Sequence, residues 1–165
     1  MKNLELIQSK IFEGEEIEHL LAIWRFKNHK VVFTNGCFDI LHLGHIDYLA
    51  KAKDQGDVLI IGLNTDESVR RIKGPQRPLN DQHARSLILA SLRFVDAIVL
   101  FDEDTPYELI KKVQPDILVK GSDYKAEDIV GYDIVKAKGG EILTLELVEG
   151  YSTTRIIEKI KKSST

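Results

Sequence analysis

The sequence predicts an α/β protein built on a Rossmann-like, doubly wound parallel sheet. Short runs rich in Val, Ile and Leu alternate along the chain with segments of helical periodicity. The runs lack the strict apolar–polar alternation of half-exposed strands, which is typical of strands buried on both faces of a sheet. Their alternation with helices indicates βαβ units. We therefore expect a single domain with an N-terminal helical extension and five parallel strands in the order 3-2-1-4-5.

Five apolar runs are the predicted strands, and helical patterns separate them. The strands are expected at positions 31–33, 58–63, 97–101, 117–119 and 142–147. The helices are expected at 46–53, 65–71, 82–93, 106–113 and near 129–138. Thr105, Pro106 and Glu108 form a favourable helix start, with a hydroxyl cap, a proline at the first position and an acidic residue at the third. Gly139 and Gly140 end the helix before the last strand.

The segment 1–29 is predicted to be a helical extension that packs on the main domain. Ile17, Leu20, Leu21 and Trp24 recur at helical spacing, so one face of this helix is apolar. Such a stripe favours a packing element over a cofactor site. The main domain is expected over 30–160, and the polar residues 161–165 are expected to form a frayed tail.

Composition excludes several classes of function. The chain has 165 residues, of which 43% are hydrophobic and 30% are charged, as in an ordinary globular domain. The net charge of −3 gives no reason to expect a nucleic-acid partner. No apolar run approaches the roughly 20 residues of a membrane span, and the N-terminus does not resemble a signal peptide. The single cysteine suits a reducing compartment. We expect a cytoplasmic protein without a membrane partner.

The segment 34–45, TNGCFDILHLGH, is the most informative in the chain. A predicted strand runs into a tight turn at Asn35 and Gly36, and His42 and His45 follow at the start of a helix. Their spacing of three places both rings on one helical face. Gly44 has no Cβ, so a ligand can approach the backbone between them. A helix N-terminus favours anions, and the histidines add hydrogen-bond donors there. The segment predicts a phosphate site.

This segment has two alternative roles. A structural zinc ion needs three or four ligands, and Cys37 has no second cysteine to accompany it. We therefore expect no metal held by these residues. Cys37 is also a possible nucleophile, but a lone cysteine without a placed base is more often inert.

A second loop is expected to face the first across a crevice. Ligands of doubly wound sheets bind outside the carboxyl ends of the strands, where the strand order reverses. In the predicted order the first and fourth strands are neighbours. The loop 120–124, KGSDY, therefore lies beside the histidine loop.

Three further segments carry groups suited to anions, each with a plain structural alternative. Lys73 and Arg77 lie on a stiff Gly- and Pro-containing loop that either closes over phosphates or is a solvated turn. Arg93, at the expected end of a helix, either binds phosphate through two hydrogen bonds or complements the helix dipole. Ser152 and Thr153 either cap the last helix or add a second anion site at its start.

Together these segments resemble the cytidylyltransferase-like nucleotidyltransferases. That family is marked by a strand followed by G-x-F-D-x-x-H-x-G-H, by R-[YF]-V-D and by a late E-G-x-S-T-[ST]. The corresponding segments here are 36–45, 93–96 and 149–154. Within the family, the loop 73–78 and the segments 104–106 and 119–124 are most similar to D-glycero-β-D-manno-heptose 1-phosphate adenylyltransferases. The resemblance covers roughly residues 31–160.

The resemblance implies an enzyme that joins ATP and D-glycero-β-D-manno-heptose 1-phosphate to give ADP-heptose and pyrophosphate, with Mg²⁺ assisting. The product would serve the synthesis of lipopolysaccharide core or another surface heptose glycan. The catalytic residues implied are His42, His45, Lys73 and Arg93. The nucleotide-binding residues implied are Thr34, Asn35, Gly36, Cys37, Phe38, His42, Gly44, His45, Lys120, Gly121, Asp123, Ser152 and Thr153. The residues implied to bind the sugar phosphate are Asp39, Arg77 and Tyr124.

The resemblance also implies partners and leaves two alternatives open. A homodimer is expected, and a separate heptose kinase is expected because 165 residues leave no room for a kinase domain. The first alternative is a sister enzyme, either a glycerol-phosphate or ethanolamine-phosphate cytidylyltransferase or an FMN adenylyltransferase. The second is a nucleotide-binding module without catalysis.

Overall fold

A computed structural model describes residues 1–163 and shows a six-stranded, fully parallel sheet between two layers of helices. The strands are β1 (Ile11–Glu13), β2 (Val31–Gly36), β3 (Val58–Asn64), β4 (Ala97–Phe101), β5 (Ile117–Gly121) and β6 (Glu141–Leu145). The helices are α1 (Asn3–Gln8), α2 (Ile17–Phe26), α3 (Leu43–Lys53), α4 (Asp66–Lys73), α5 (Gln82–Ala90), α6 (Tyr107–Val113), α7 (Tyr132–Ala137) and α8 (Thr153–Ser163), with a 3₁₀ turn at Ala126–Asp128. Within this described part, none of the helices has the length and apolarity to cross a membrane.

The predicted fold class is confirmed, and the predicted number of strands is wrong. The spatial order is β1-β4-β3-β2-β5-β6. The five predicted strands keep their expected order, and β1 extends the sheet beyond β4. Residues 1–29 therefore form α1, β1 and α2 rather than helices alone. A run of three residues is too short to show a strand pattern, and β1 owes its conformation to parallel pairing with β4, where Ile11 lies opposite Ile98.

Most other predicted boundaries shift by one to three residues, and two of the changes concern helix ends. The helix expected over 82–93 ends at Ala90, and Ser91 is its C-cap. The tail expected to fray from Lys161 is helical as far as Ser163. The remaining tail residues, 164 and 165, lie outside the described part of the chain.

Apolar side chains cover both faces of the sheet. Strand β3 is buried at all seven of its positions. Phe33 and Ile60 belong to one core cluster with helices α2, α6 and α7, whereas Val32 and Leu59 belong to the other cluster with α3 and α5. Because neighbouring residues on a strand point to opposite faces, one apolar run supplies both cores. This burial explains why the sequence shows continuous rather than alternating apolar runs.

The reversal of strand order lies at β2, which pairs with β3 on one side and β5 on the other. The loops that follow β2 and β5 therefore leave the sheet side by side at its carboxyl edge. This geometry places the segment after Gly36 next to the segment after Gly121.

Helix α2 packs on the sheet through Ile17, Leu21 and Trp24, as its apolar stripe predicts. Leu21 is 1% exposed, whereas Ile23 on the same helix is 37% exposed. We expect Leu21→Ala to lower the free energy of unfolding by about 2–5 kcal/mol, because it leaves a cavity in the core. The matched control Ile23→Ala should cost less than about 1 kcal/mol. Urea unfolding of both variants measures the difference, and equal losses would contradict the packing role of α2.

Candidate active site

A cavity of about 700 Å³ opens at the carboxyl edge of the sheet. Its wall includes the end of β2, the start of α3, the segment between α4 and α5, the loops after β4 and β5, and the residues that lead into α8. Cavities of this size are typical of sites for small molecules and cofactors. The position agrees with the rule that doubly wound sheets bind ligands where their strand order reverses.

The structure brings most of the predicted site residues together at this cavity. Those that line it are Asn35, Gly36, Cys37, Phe38, Asp39, His42, Gly44, His45, Lys73, Arg77, Lys120, Gly121, Asp123, Tyr124, Ser152 and Thr153. They come from four segments that are distant in sequence. What each residue does at the cavity stays a prediction.

Two predicted residues lie elsewhere. Thr34 is fully buried, and its hydroxyl is 2.8 Å from that of Tyr48, which donates to the carbonyl of Val119. The Thr34 side chain thus contacts α3 through Tyr48 and does not line the cavity, and its part in nucleotide binding stays a prediction. Arg93 is exposed in the turn between α5 and β4. That turn precedes a parallel strand and lies at the amino edge of the sheet, away from the cavity. The structure therefore does not bring Arg93 to the cavity, and its catalytic role stays a prediction.

The two motif histidines stack at the start of α3. His42 is the N-cap residue with an extended backbone, and His45 lies in the first turn. Their ring centroids are 3.8 Å apart and the rings are inclined by 23°. A Cβ on Gly44 would lie 3.1 Å from the ring of His42. Glycine at this position therefore lets the imidazole of His42 lie against the helix.

Three polar atoms at this end of β2 are buried without a hydrogen-bond partner among the described residues. They are Asn35 Oδ1, His42 Nδ1 and His45 Nδ1. A buried polar atom left unsatisfied costs about 1–3 kcal/mol. Three such atoms in residues that line one cavity indicate that the site is built to hold a polar ligand.

Both imidazoles are held neutral. Burial lowers the pKa of His42. Burial and the neighbouring His42 ring lower the pKa of His45 to about 4, although a backbone hydrogen bond at Ile40 acts to raise it. A neutral imidazole has one N–H donor and one acceptor nitrogen. Near neutral pH the pair therefore offers hydrogen bonds rather than fixed positive charge.

Asp39 joins the histidine loop to the basic segment. Its carboxylate is 4% exposed and accepts hydrogen bonds from Arg77 Nε at 2.6 Å and from the backbone N–H groups of Leu79 and Asn80. Burial acts to raise the pKa of Asp39, but these donors outweigh it and hold that pKa below its usual range. Because its oxygens are already engaged, Asp39 is better suited to position Arg77 than to bind a sugar phosphate itself.

The cations of the cavity come from separate segments. Lys73 ends α4, and Arg77 follows it in the next turn. Arg77 contacts Asp39 through Nε, which leaves its terminal amino groups for another partner. Lys120 belongs to β5, and burial lowers its pKa to about 8 against the charges of Asp123 and Cys37. All three side chains line the same cavity as the histidines.

Cys37 is placed as a wall residue rather than a nucleophile. Burial raises the pKa of its thiol, and the nearby charges of Lys73, Arg85 and Arg77 only partly oppose that shift. The protonated thiol lies 3.8 Å from Asn64 Oδ1. A protonated, half-buried thiol is a weak nucleophile.

Sequence reasoning missed Arg85, whose side chain is fully buried in α5 beneath the cavity. It donates to the carbonyls of Cys37 and Asn64. The available signal was its position four residues before Leu89, on the apolar face of the helix, where an arginine requires several partners. Tyr48, Asn64 and Asp104 also line the cavity without having been predicted.

Comparison with known proteins shows which family the chain resembles. A sequence profile described as Cytidylyltransferase-like matches residues 33–159. The chain is 51% identical over 156 residues to a protein named Bifunctional protein HldE from Wolinella succinogenes, and the match covers 94% of this chain and 32% of that protein. A protein of the same name from a Nitratiruptor species is 56% identical over 151 residues, covering 92% and 32%. The chain thus spans about a third of the length of these curated relatives.

Solved structures agree on the fold. A lipopolysaccharide core biosynthesis protein from Thermoplasma volcanium superposes with a TM-score of 0.59 at 31% identity, covering 75% of this chain and 99% of that one. A pantoate-β-alanine ligase from Francisella tularensis, complexed with β-γ ATP and β-alanine, gives a TM-score of 0.55 at 18% identity, covering 94% of this chain and 78% of that one. At that identity the second likeness shows the fold alone.

The lowered pKa of His45 predicts a pH-dependent stability. The folded state binds a proton to this ring only near pH 4, whereas the unfolded state binds it near 6.5. Above about pH 6.5 the lowered pKa does not destabilise the folded state. As the pH falls toward about 4, the unfolded chain binds more protons and the destabilisation grows. When the pH falls from about 7.5 to about 4.5, the free energy of unfolding should therefore decrease less in His45→Gln than in wild type.

Urea unfolding at the two pH values measures this effect. The exposed His83→Gln serves as the control for removing a histidine elsewhere and should keep the wild-type pH dependence. An unchanged pH dependence in His45→Gln would contradict the burial-shifted imidazole.

Proposed function

We propose that the chain, which belongs to the cytidylyltransferase-like family, is an adenylyltransferase that joins ATP and D-glycero-β-D-manno-heptose 1-phosphate to give ADP-heptose and pyrophosphate. One observation carries the proposal: a stacked pair of neutral histidines with unpartnered buried nitrogens lines the same cavity of nucleotide size as Lys73, Arg77 and Lys120. About 50% identity to proteins named HldE along nearly the whole chain supports the heptose substrate.

The proposed reaction is an in-line displacement at phosphorus. An oxygen of the sugar phosphate attacks the α-phosphorus of ATP and forms a new P–O bond. The bond from that phosphorus to the bridging oxygen breaks, and pyrophosphate leaves with the electron pair. Such reactions need positioning and charge stabilisation rather than a covalent nucleophile. The protonated thiol of Cys37 is in keeping with that mechanism.

Each wall of the cavity has a role in this proposal. His42 and His45 donate hydrogen bonds to phosphate oxygens and stabilise the negative charge that develops on them. Lys73, Arg77 and Lys120 neutralise the triphosphate and the sugar phosphate from other parts of the cavity lining. Bound phosphate draws Lys120 toward its charged form, since its pKa lies near 8 without a ligand.

The start of α8 supplies a further anion contact. Ser152 accepts a hydrogen bond from the backbone N–H of Arg155, which caps the helix, and Thr153 lies beside it in the cavity wall. The free N–H groups of the first turn favour a phosphate group. We assign the β- and γ-phosphates of ATP to this helix start.

Mg²⁺ enters the proposal as part of the MgATP substrate. This ion usually keeps several waters and is held by substrate phosphates with one or two carboxylates. Within residues 1–163 no group of three or more His, Cys, Asp or Glu side chains is arranged to hold a metal. Asp104 at the cavity is paired with Arg71. The side chains do not fit a resident metal, so we assign the protein no step through one.

The setting of the reaction is also proposed. A sugar 1-phosphate is the product of a phosphoryl transfer to a sugar, so a heptose kinase is the expected source. The T. volcanium relative is described as a lipopolysaccharide core biosynthesis protein, which supports use of the product in surface heptose glycans. A cytoplasmic homodimer remains our expectation from the family resemblance and from the single cysteine.

A substrate panel tests the proposal. Pyrophosphate release is measured with ATP or CTP in combination with D-glycero-β-D-manno-heptose 1-phosphate, glycerol 3-phosphate, ethanolamine phosphate or FMN. We expect turnover with ATP and the heptose phosphate. Turnover of CTP with glycerol 3-phosphate, and none with the expected pair, would identify a cytidylyltransferase instead. Nucleotide binding without turnover of any acceptor would identify a non-catalytic module.

Alanine substitution tests the histidines. We expect His42→Ala and His45→Ala each to lower kcat by ~10²–10³-fold, the usual effect of removing one donor to developing charge. Leu43→Ala is the matched control, because Leu43 lies between them in sequence and is 53% exposed. It should leave pyrophosphate release near the wild-type rate. Unchanged release in both histidine variants would exclude the role assigned to the pair.

A further inference from the structure

Arg85 is the largest fully buried side chain in the described part of the protein. Moving a guanidinium out of water costs several kcal/mol unless its N–H groups find hydrogen-bond partners. A well-packed apolar side chain at such a position often gives the folded state equal stability. A charged side chain at this depth therefore suggests a requirement other than stability.

The hydrogen bonds of Arg85 join four separate segments. Nε donates to the carbonyl of Asn80 at 3.0 Å, and Nη1 donates to the carbonyls of Cys37 at 2.7 Å and Asn64 at 2.8 Å. Nη2 donates to Asp66 Oδ1 at 2.7 Å. The acceptors lie in the loop after β2, at the end of β3, in the residues before α5 and at the start of α4. Only the planar fork of an arginine reaches acceptors in so many directions.

Two of these segments carry the reacting groups of the site. Cys37 belongs to the loop that continues to His42, and Asn80 follows the segment that holds Lys73 and Arg77. Asn80 is tied to the first loop a second time, because its side-chain amide donates to the carbonyl of Asp39 at 2.7 Å. Arg85 and Asp39 thus hold the loop that leads to His42 against the segment that carries Lys73 and Arg77.

We propose that Arg85 is a positioning residue for nucleotidyl transfer, which holds the histidine loop and the cationic segment at the separation that lets both contact the same phosphate groups. It does not line the cavity, so it acts through these two segments rather than on the substrate. Three of its four acceptors are backbone carbonyls at the cavity edge, and an apolar side chain would leave them unsatisfied. The inference rests on the proposed function.

The test compares Arg85→Lys with Leu89→Ala. Lysine keeps the charge but loses the fork, so we expect kcat for pyrophosphate release from ATP and heptose 1-phosphate to fall ~100-fold, as expected for a misplacement of about 1 Å. The KM for ATP should change little. Leu89 is fully buried one turn further along α5, so Leu89→Ala lowers stability from the same helix and should keep kcat near wild type.

The split between kcat and KM separates positioning from a merely structural role. A kcat of Arg85→Lys near wild type, a higher KM with unchanged kcat, or an equal loss of kcat in Leu89→Ala would overturn the proposal. If Arg85→Lys does not fold, Asp66→Asn replaces it, because it retains Arg85 and removes only the charge of one acceptor. We then expect a roughly tenfold loss of kcat, and an unchanged kcat would overturn the proposal.

A second readout does not depend on turnover. If wild-type protein releases no pyrophosphate with any pair in the panel, the proposed function fails, and the positioning role is tested by NMR titration of the His42 and His45 imidazoles. In wild type, His45 should titrate near pH 4. In the folded Arg85 or Asp66 variant its titration should move toward the ordinary histidine value as the loop loosens. An unchanged titration would overturn the positioning role.

Discussion

The parallel pairing of β2 with both β3 and β5 is the constraint on which the rest of the structure depends. It makes β2 the strand at which the order reverses, so the loops after β2 and β5 leave the sheet together. Every functional side chain must then come from a segment that reaches this edge. The position of Arg93 illustrates the constraint, because a residue just before a parallel strand lies at the opposite edge whatever its chemistry.

Burial at this edge determines the chemistry that the side chains can perform. Desolvation lowers the pKa of His45 and of Lys120, and it raises that of Cys37. In each case burial disfavours the charged form. The cationic forms of His45 and Lys120 are thus less favoured without a ligand than those of the same side chains in water. A phosphate ligand reverses part of that shift, so positive charge increases where the substrate binds.

Most of the fold, and the part of the site formed by the histidine motif, could be predicted from the sequence. Continuous Val- and Ile-rich runs identified the buried strands, and their order followed from the connection rules. Strand β1 escaped detection because its three residues are ordered by pairing with β4 rather than by their own pattern. The residues of the histidine motif are adjacent in sequence, so their clustering was visible. Arg85 acts on Cys37 and Asn64 from a distant helix, and spacing along the chain shows nothing of such contacts.

The unpartnered nitrogens of His42 and His45 and the four hydrogen bonds of the Arg85 guanidinium are two parts of one energetic arrangement. Each unsatisfied buried atom opposes folding by about 1–3 kcal/mol, and a loop free to move would turn it toward water. The loop remains in place because Asp39 and Arg85 hold it through buried, charge-assisted hydrogen bonds. The unfavourable energy at the histidines is thereby retained until a phosphate relieves it, and that relief adds to the affinity for the reacting group.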